Sequence, residues 1–137
     1  MVLDSFTIKN LELFRSLSSH GTQGTLIECI DMTKTSGGGR LLRKNLISPL
    51  LDANLLKNRL DTVEAFVEDS FILKSIRNDL QKTADTQRIL GKINKDKASP
   101  RDLRTLGETL EKIPIWKKIL KGSNNSNLIL FSKSFLD

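Results

Sequence analysis

Apolar residues recur every three or four positions along most of the chain, a spacing typical of amphipathic helices that bury one face. The longest such segment covers residues 52–67, where the apolar positions are separated by four, three and four residues. These positions are Leu56, Leu60, Val63 and Val67. The spacing predicts a long helix with a buried stripe. Asp52 is a suitable N-cap for it, because a carboxylate can accept hydrogen bonds from the first amides of a helix.

Four shorter segments continue the pattern towards the C-terminus. Their apolar positions are Ile72, Ile76 and Leu80, then Ile89, Leu90 and Ile93, then Leu103, Leu106, Leu110 and Ile113, and finally Trp116 and Leu120. Asp85 can cap the second of these helices. Ser99, Pro100 and Asp102 give the third the clearest start in the chain, because they supply a cap, a residue suited to the first helical position and a favourable charge. Pro114 is expected to end the third helix and to open the fourth.

The third helix allows two interpretations. Its apolar spacing of three, four and three residues approaches a heptad seam, so its Leu103 to Ile113 face could pair with another chain as a coiled coil. A single helix that packs within its own chain gives the same pattern.

The two ends of the chain differ from this pattern. Residues 6–14 alternate imperfectly between apolar and polar, which predicts a short extended segment, and residues 16–24 read as a polar loop. Residues 122–127 are polar and predict a mobile loop, whereas residues 128–136 form an apolar tail that would dangle or cover exposed core. We therefore predict a mostly α-helical, bundle-like fold divided into residues 1–24, 25–121 and 122–137.

A glycine-rich stretch lies between two of the predicted helices. Residues 25–31 read as a short helix, and the segment Ser36-Gly37-Gly38-Gly39-Arg40 then leads into another helix that Pro49 closes. We expect at least one glycine to adopt a positive φ, Ser36 to cap the second helix, and the glycines to let the chains approach closely.

Glycines before a helix N-terminus could instead hold a phosphate, with Arg40 beside it. The P-loop signature requires Gly, Lys and Ser or Thr in a fixed order, whereas Gly39 is followed by Arg40 and Leu41. The stretch is therefore predicted to be a structural junction. The macrodipole disfavours a cation near the N-terminus of a helix, so Arg40 there suggests an acidic or phosphate partner. A solvated basic face formed by Arg40, Arg43 and Lys44 is the simpler interpretation.

Composition excludes several classes of function. The 137 residues suit about one domain, and 22 basic against 16 acidic residues give a net charge of +6, which is compatible with nucleic acid nearby but is also common on soluble surfaces. The single cysteine, Cys29, allows no disulfide within the chain and, with the single histidine, His20, offers no zinc site. No apolar stretch reaches about 18 residues, and no signal peptide is visible, so we expect an intracellular protein with no membrane partner.

Several short blocks occur in a characteristic order. They are Leu3-Asp4 and Thr7, residues 10–13, residues 31–35 followed by Gly38, residues 40–43 with Pro49-Leu50, residues 58–64, residues 85–90 and residues 99–103. Their order and spacing resemble the core, or lever, domain of the MutS family of DNA mismatch-repair proteins over about the first four-fifths of the chain. The chain departs from the family at Ser36 and Gly37, where a proline and a bulky residue are usual, and this difference should loosen the turn.

The resemblance implies a function that the residues alone do not. It implies the first half of a lever domain in a mismatch-repair ATPase. The mismatch-reading domain and the connector would precede Met1, and the clamp, the rest of the lever and the ATPase domain would follow Asp137. The intact protein would bind ATP with Mg²⁺ and mismatched double-stranded DNA. Its protein partners would be a MutS-family dimer partner and a MutL-like protein. Its compartment would be the cytoplasm in bacteria, or the nucleus or mitochondrion in eukaryotes.

For this segment itself we predict no catalytic, cofactor-binding or metal-binding residues. The one histidine precedes nearly every candidate partner for a catalytic triad, and solvated helix faces explain carboxylates such as Glu64, Glu68 and Asp69. The segment is thus expected to couple DNA binding to the ATPase without performing either step. The alternative is a free-standing basic helical module that binds nucleic acid or another protein.

Overall fold

A computed structural model describes residues 2–135, and within that range it is helical with no strand. In chain order the helices are α1 (Ser5–Asn10), α2 (Leu26–Ile30), α3 (Ser36–Ile47), α4 (Ala53–Glu68), α5 (Ser70–Leu80), α6 (Thr86–Ile93), α7 (Pro100–Leu110), α8 (Lys112–Lys121) and α9 (Ser126–Ser132). The chain divides into two compact units between Ala53 and Asn54. The mostly α-helical prediction is confirmed, whereas the predicted boundaries after residues 24 and 121 remain predictions.

Polar caps explain where several helices begin. The Asp85 carboxylate accepts from the Arg88 amide at 3.2 Å, as the sequence predicted for α6. At the start of α7, the Ser99 hydroxyl accepts from the Asp102 amide and the Asp102 carboxylate accepts from the Ser99 amide, which is a complete capping box. Asp102 also accepts from Lys92 Nζ at 2.6 Å, which joins α6 to α7. The hydrogen bond from Lys92, followed by those from Ser99, holds the pKa of Asp102 well below its usual range.

The predicted extended segment at the N-terminus is wrong. Residues 5–10 form α1 because the Asp4 carboxylate accepts from the Thr7 amide at 2.7 Å and from the Thr7 hydroxyl at 3.1 Å. This cap satisfies a backbone amide in the first turn of the helix, and the described residues include no strand with which an extended segment could pair. The helix ends before Glu12, which has a φ of +47°.

The first unit has a small core beneath α2. Leu13 and Ile27 are buried in it together with the polar side chains of Ser16 and Thr25. The amide of Ile27 donates to the Leu13 carbonyl at 3.0 Å, so the start of α2 is held against the chain that leaves α1. Farther along, the amide of Leu3 donates to the carbonyl of Ile47 at 2.9 Å, which holds the N-terminal segment at the end of α3.

The second unit has its core where α4, α5, α8 and α9 meet. Ala65, Ile72, Leu120 and Leu128 are its buried members, and Phe66, Ile76, Ile119 and Phe135 pack around them. Leu128 lies in α9, which packs against α8 and is capped by the Asn125 side chain. The described part of the apolar tail, residues 128–135, therefore covers the core, which was one of the two outcomes predicted for the tail, and residue 136 lies outside the described residues.

The buried stripe predicted on α4 is wrong. Leu56, Leu60, Val63 and Val67 are between 43% and 67% exposed, and the buried residue of α4 is Ala65. Ala65 lies on the opposite side of the helix and packs into the core of the second unit. The apolar period identified an apolar face of α4, but the side of the helix that carries Ala65 is the one that packs into the core.

On α7 the apolar seam is only partly covered. Leu106 on α7 and Ile113 at the start of α8 are half-buried, whereas Leu103 and Leu110 are about half exposed. The buried residue of the helix is instead Thr109, whose hydroxyl donates to the Thr105 carbonyl and accepts from the Ala84 amide at 3.0 Å. α8 begins at Lys112 and accommodates Pro114 in its first turn, where a missing amide hydrogen costs little.

Candidate functional site

The link between α2 and α3 is a compact polar turn. The Asp31 carboxylate accepts from both the amide and the hydroxyl of Thr33, at 3.1 and 2.6 Å. Those hydrogen bonds, together with a smaller electrostatic contribution from Arg43, lower the pKa of Asp31 and keep it ionised. The segment Asp-x-Thr is a known local turn signal, so this contact was readable from the sequence although we did not use it.

Thr35, rather than Ser36, caps α3. Its hydroxyl accepts from the Gly38 amide at 2.9 Å, and its carbonyl accepts from the Gly39 amide at 3.0 Å. Ser36 is the first helical residue, so the prediction that it caps the helix is wrong. A threonine hydroxyl that accepts a hydrogen bond from the amide three residues later is an ordinary N-cap, so Thr35 was a candidate cap in the sequence beside Ser36.

Two of the three glycines, Gly38 and Gly39, serve close packing, and none of the three has a positive φ. Within the described residues the glycine with positive φ is Gly24, at +80°, so that part of the prediction is wrong. A Cβ on Gly38 would lie 3.0 Å from Thr35 Oγ1 and 3.4 Å from Thr33 Cβ, and one on Gly39 would lie 3.4 Å from Thr33 Oγ1. The close approach that we predicted for the glycines is thus confirmed, and it is the turn of residues 31–35 that approaches them.

This geometry is poorly suited to a phosphate. The Gly38 and Gly39 amides already donate to Thr35, so they are not available to an added anion. A Cβ on Gly39 would also lie 3.8 Å from Asp31 Oδ2, so a carboxylate that would repel an anion lies close to this glycine. The interpretation of this stretch as a structural junction agrees with both observations.

The basic side chains of α3 are exposed, as predicted for a solvated face. Arg40, Arg43 and Lys44 all belong to this exposed set. The guanidinium of Arg43 lies 5.5 Å from the centre of the Phe14 ring, a cation–π contact within the first unit that the sequence analysis did not anticipate. Leu42 and Leu46 are half-buried on the other side of the helix.

The second unit carries two apolar features. One is the α4 face, which we define as Leu56, Leu60, Val63 and Val67. The other is a cavity of about 270 Å³ with an apolar lining that includes Phe66, Leu120 and Phe131. The rings of Phe66 and Phe131 meet edge to face with their centres 5.9 Å apart, and Phe131 meets Phe135 in the same way. Beside the cavity, Trp116 Nε1 donates to Asp79 Oδ2 at 3.3 Å, which satisfies its polar group.

Between residues 2 and 135, no three His, Cys, Asp or Glu side chains lie close enough together to hold a metal ion. Cys29 is an exposed free thiol. A search of the same residues for helices that are sufficiently long and apolar to cross a membrane finds none. The described structure thus offers packed helices, polar caps and exposed faces.

Comparison with known proteins identifies the family. The model for MutS domain III matches residues 6–134. The DNA mismatch repair protein MutS of Desulfitobacterium hafniense is 40% identical over 131 residues, which cover 96% of this chain and 15% of that protein. The MutS proteins of Halothermothrix orenii and Clostridioides difficile are 42% and 41% identical, and in each the match covers 90% of this chain.

The chain belongs to the MutS domain III family, as the order of its sequence blocks indicated. It spans about 13–15% of the length of these three relatives.

Proposed function

We propose that this chain is a lever segment of a MutS-like mismatch-repair ATPase, and that it transmits conformational change between DNA binding and ATP hydrolysis without performing either. The observation that carries the proposal is the match to MutS domain III over residues 6–134 of a chain whose relatives are about seven times longer. In such a protein the clamp would bind mismatched double-stranded DNA, and another domain would bind ATP with Mg²⁺. The connector, a MutS-family dimer partner and a MutL-like protein would be further partners.

The packing of the chain suits mechanical transmission. A lever works if tilting one end displaces the other, and this requires joints with few arrangements. The turn between α2 and α3 meets this requirement because the Asp31, Thr33 and Thr35 hydrogen bonds and the close contact at Gly38 leave little freedom. In the second unit, the packing of α9 on α8 and of α8 on α5 would likewise transmit force through their shared core.

The proposal predicts that the isolated chain performs no step of the reaction. Purified residues 1–137 should not hydrolyse ATP, and their binding to a mismatched duplex should be weak and should fall steeply as salt rises, because a net charge of +6 supplies only non-specific attraction. Filter binding or fluorescence anisotropy at several salt concentrations and a phosphate-release assay measure both quantities.

A nucleic-acid-binding module is the second candidate, favoured by the exposure of Arg40, Arg43 and Lys44 on α3. It predicts tight binding by the isolated chain, lost when these three residues are neutralised together. A matched control neutralises Lys112, Lys118 and Lys121 of α8. If the chain binds tightly and only neutralising Arg40, Arg43 and Lys44 abolishes binding, the nucleic-acid-binding module replaces the lever proposal for this segment. Equal, small effects of both sets of substitutions would support the lever proposal.

A further inference from the structure

Arg43 of α3 contacts the part of the chain that precedes α2. Its Cζ atom lies 5.5 Å from the centre of the Phe14 ring, which is the distance of a cation–π contact. Phe14 is half-buried and directly follows Leu13, whose carbonyl accepts from the Ile27 amide at 3.0 Å. Because Ile27 is the second residue of α2, Arg43 contacts the segment that holds the start of that helix.

The same side of α3 faces the residue that ends α2. Asp31 follows the last residue of α2 and accepts from Thr33 through Oδ1, whereas its Oδ2 would lie 3.8 Å from a Cβ on Gly39. Arg43 follows Gly39 by four residues, so it lies one turn farther along the same side of α3. The two hydrogen bonds from Thr33 and, to a smaller extent, the positive charge of Arg43 lower the pKa of Asp31. One side chain therefore acts at both ends of α2.

α2 depends on such contacts because it has only five residues. Isolated helices shorter than about 12–15 residues are marginal in water, so a helix of this length is held in place by its surroundings. Among the described residues, the broadest helix-to-helix contacts lie in the second unit, and the buried apolar side chains of the first unit are Leu13 and Ile27. So small a core leaves the position of α2 to caps, turns and single side-chain contacts.

We propose that Arg43 is a positioning residue that holds α2 against α3, by stacking on Phe14 at one end of α2 and attracting Asp31 at the other. A guanidinium suits both tasks, because its plane stacks on an aromatic ring and it always carries a positive charge. Lysine would keep the attraction and lose the stacking. The consequence for coupling rests on the proposed lever function, since an α2 held in this way would move together with α3 when the joint tilts.

Hydrogen exchange of the α2 amides, measured by mass spectrometry, tests these contacts in Desulfitobacterium hafniense MutS whose matching segment is replaced by residues 1–137. Arg43→Gln should speed exchange about three- to tenfold, because it removes both the stacking and the attraction. Phe14→Leu should speed it about two- to fivefold, and Phe14→Tyr, which keeps a ring, should leave it unchanged. Lys44→Gln is the matched control, because it removes the same charge from the next exposed position of α3 and should change exchange less than about twofold.

A double-mutant cycle shows whether the two side chains act through each other. Once Arg43→Gln is present, Phe14→Leu should speed exchange less than it does alone, because the stacking is already lost. Exchange that Arg43→Gln leaves unchanged, that Lys44→Gln speeds equally, or that Phe14→Leu speeds as much after Arg43→Gln as before it would overturn the proposal.

The effect on function is measured separately, as the change in ATP hydrolysis that a mismatched duplex causes. We expect Arg43→Gln to reduce that change at least about twofold, while hydrolysis without DNA and DNA binding without ATP are retained. Phe14→Tyr should preserve all three quantities. A loosened α2 with an undiminished response to the mismatch would leave the Arg43 contacts in place and count against the lever function.

Discussion

Replacing Leu120 by alanine is expected to lower the free energy of unfolding of the second unit by about 2–5 kcal/mol. Leu120 is fully buried between Ala65, Ile72 and Leu128, so truncation removes apolar contacts and leaves a void next to a cavity that already exists. The loss is a large fraction of the roughly 5–15 kcal/mol that stabilises a typical domain. Trp116, the single tryptophan, lies one turn away in the same helix and reports unfolding of this unit by fluorescence in urea.

The control for this prediction is Leu103→Ala on α7, where the side chain is 52% exposed. Because much of this leucine is already in water, its truncation should change the free energy of unfolding by less than about 1 kcal/mol. Equal effects of the two substitutions would show that Leu120 does not lie in the principal core, and the described packing of α8 would then be incorrect.

Gly38→Ala is expected to destabilise the junction, although alanine normally favours helix over glycine by about 1 kcal/mol. The new methyl group would lie 3.0 Å from Thr35 Oγ1, which cannot retreat without lengthening its hydrogen bond from the Gly38 amide. Overpacking and loss of the cap each cost on the order of 1 kcal/mol, so the substitution should be net destabilising. Hydrogen exchange of the α3 amides measures this locally.

Gly37→Ala is the matched control, one residue earlier in the same helix. The nearest atom to a Cβ at Gly37 is Arg40 Nη2 at 3.8 Å, at the end of a flexible side chain. This substitution should therefore slow exchange of the α3 amides or leave it unchanged. If alanine at both positions protects α3 to the same extent, the glycines would not be needed for the close approach of residues 31–35.

The sequence predicted elements better than it predicted which faces they bury. Helices near residues 52–67 and 99–113 were predicted from period and caps alone, because Ser99 and Asp102 act through contacts three residues apart. Burial depends on partners distant in sequence, and α4 illustrates the difficulty. Leu56, Leu60, Val63 and Val67 remained exposed, while Ala65, which carries almost no hydrophobic signal, entered the core.

Local polar chemistry explains the remaining errors. Residues 6–14 alternate imperfectly between apolar and polar, which suggested an extended segment. The Asp4 side chain instead caps a helix at residues 5–10. At the junction, three consecutive glycines suggested positive φ, whereas the close contact with Thr33 and Thr35 required only the absence of a Cβ. A run of glycines cannot distinguish these two needs before the neighbouring segment is placed.

The proposed coupling of DNA binding to ATP hydrolysis through this segment can be measured in a full-length protein. The segment of Desulfitobacterium hafniense MutS that matches this chain can be replaced by residues 1–137 carrying either Gly38→Val or Gly37→Ala. The quantity to measure is the change in ATP hydrolysis that a mismatched duplex causes, alongside hydrolysis without DNA and DNA binding without ATP. We expect Gly38→Val to abolish the change while preserving the two separate activities, and Gly37→Ala to retain all three. A response to mismatched DNA that survives Gly38→Val, although hydrogen exchange shows α3 loosened, would contradict the proposed coupling.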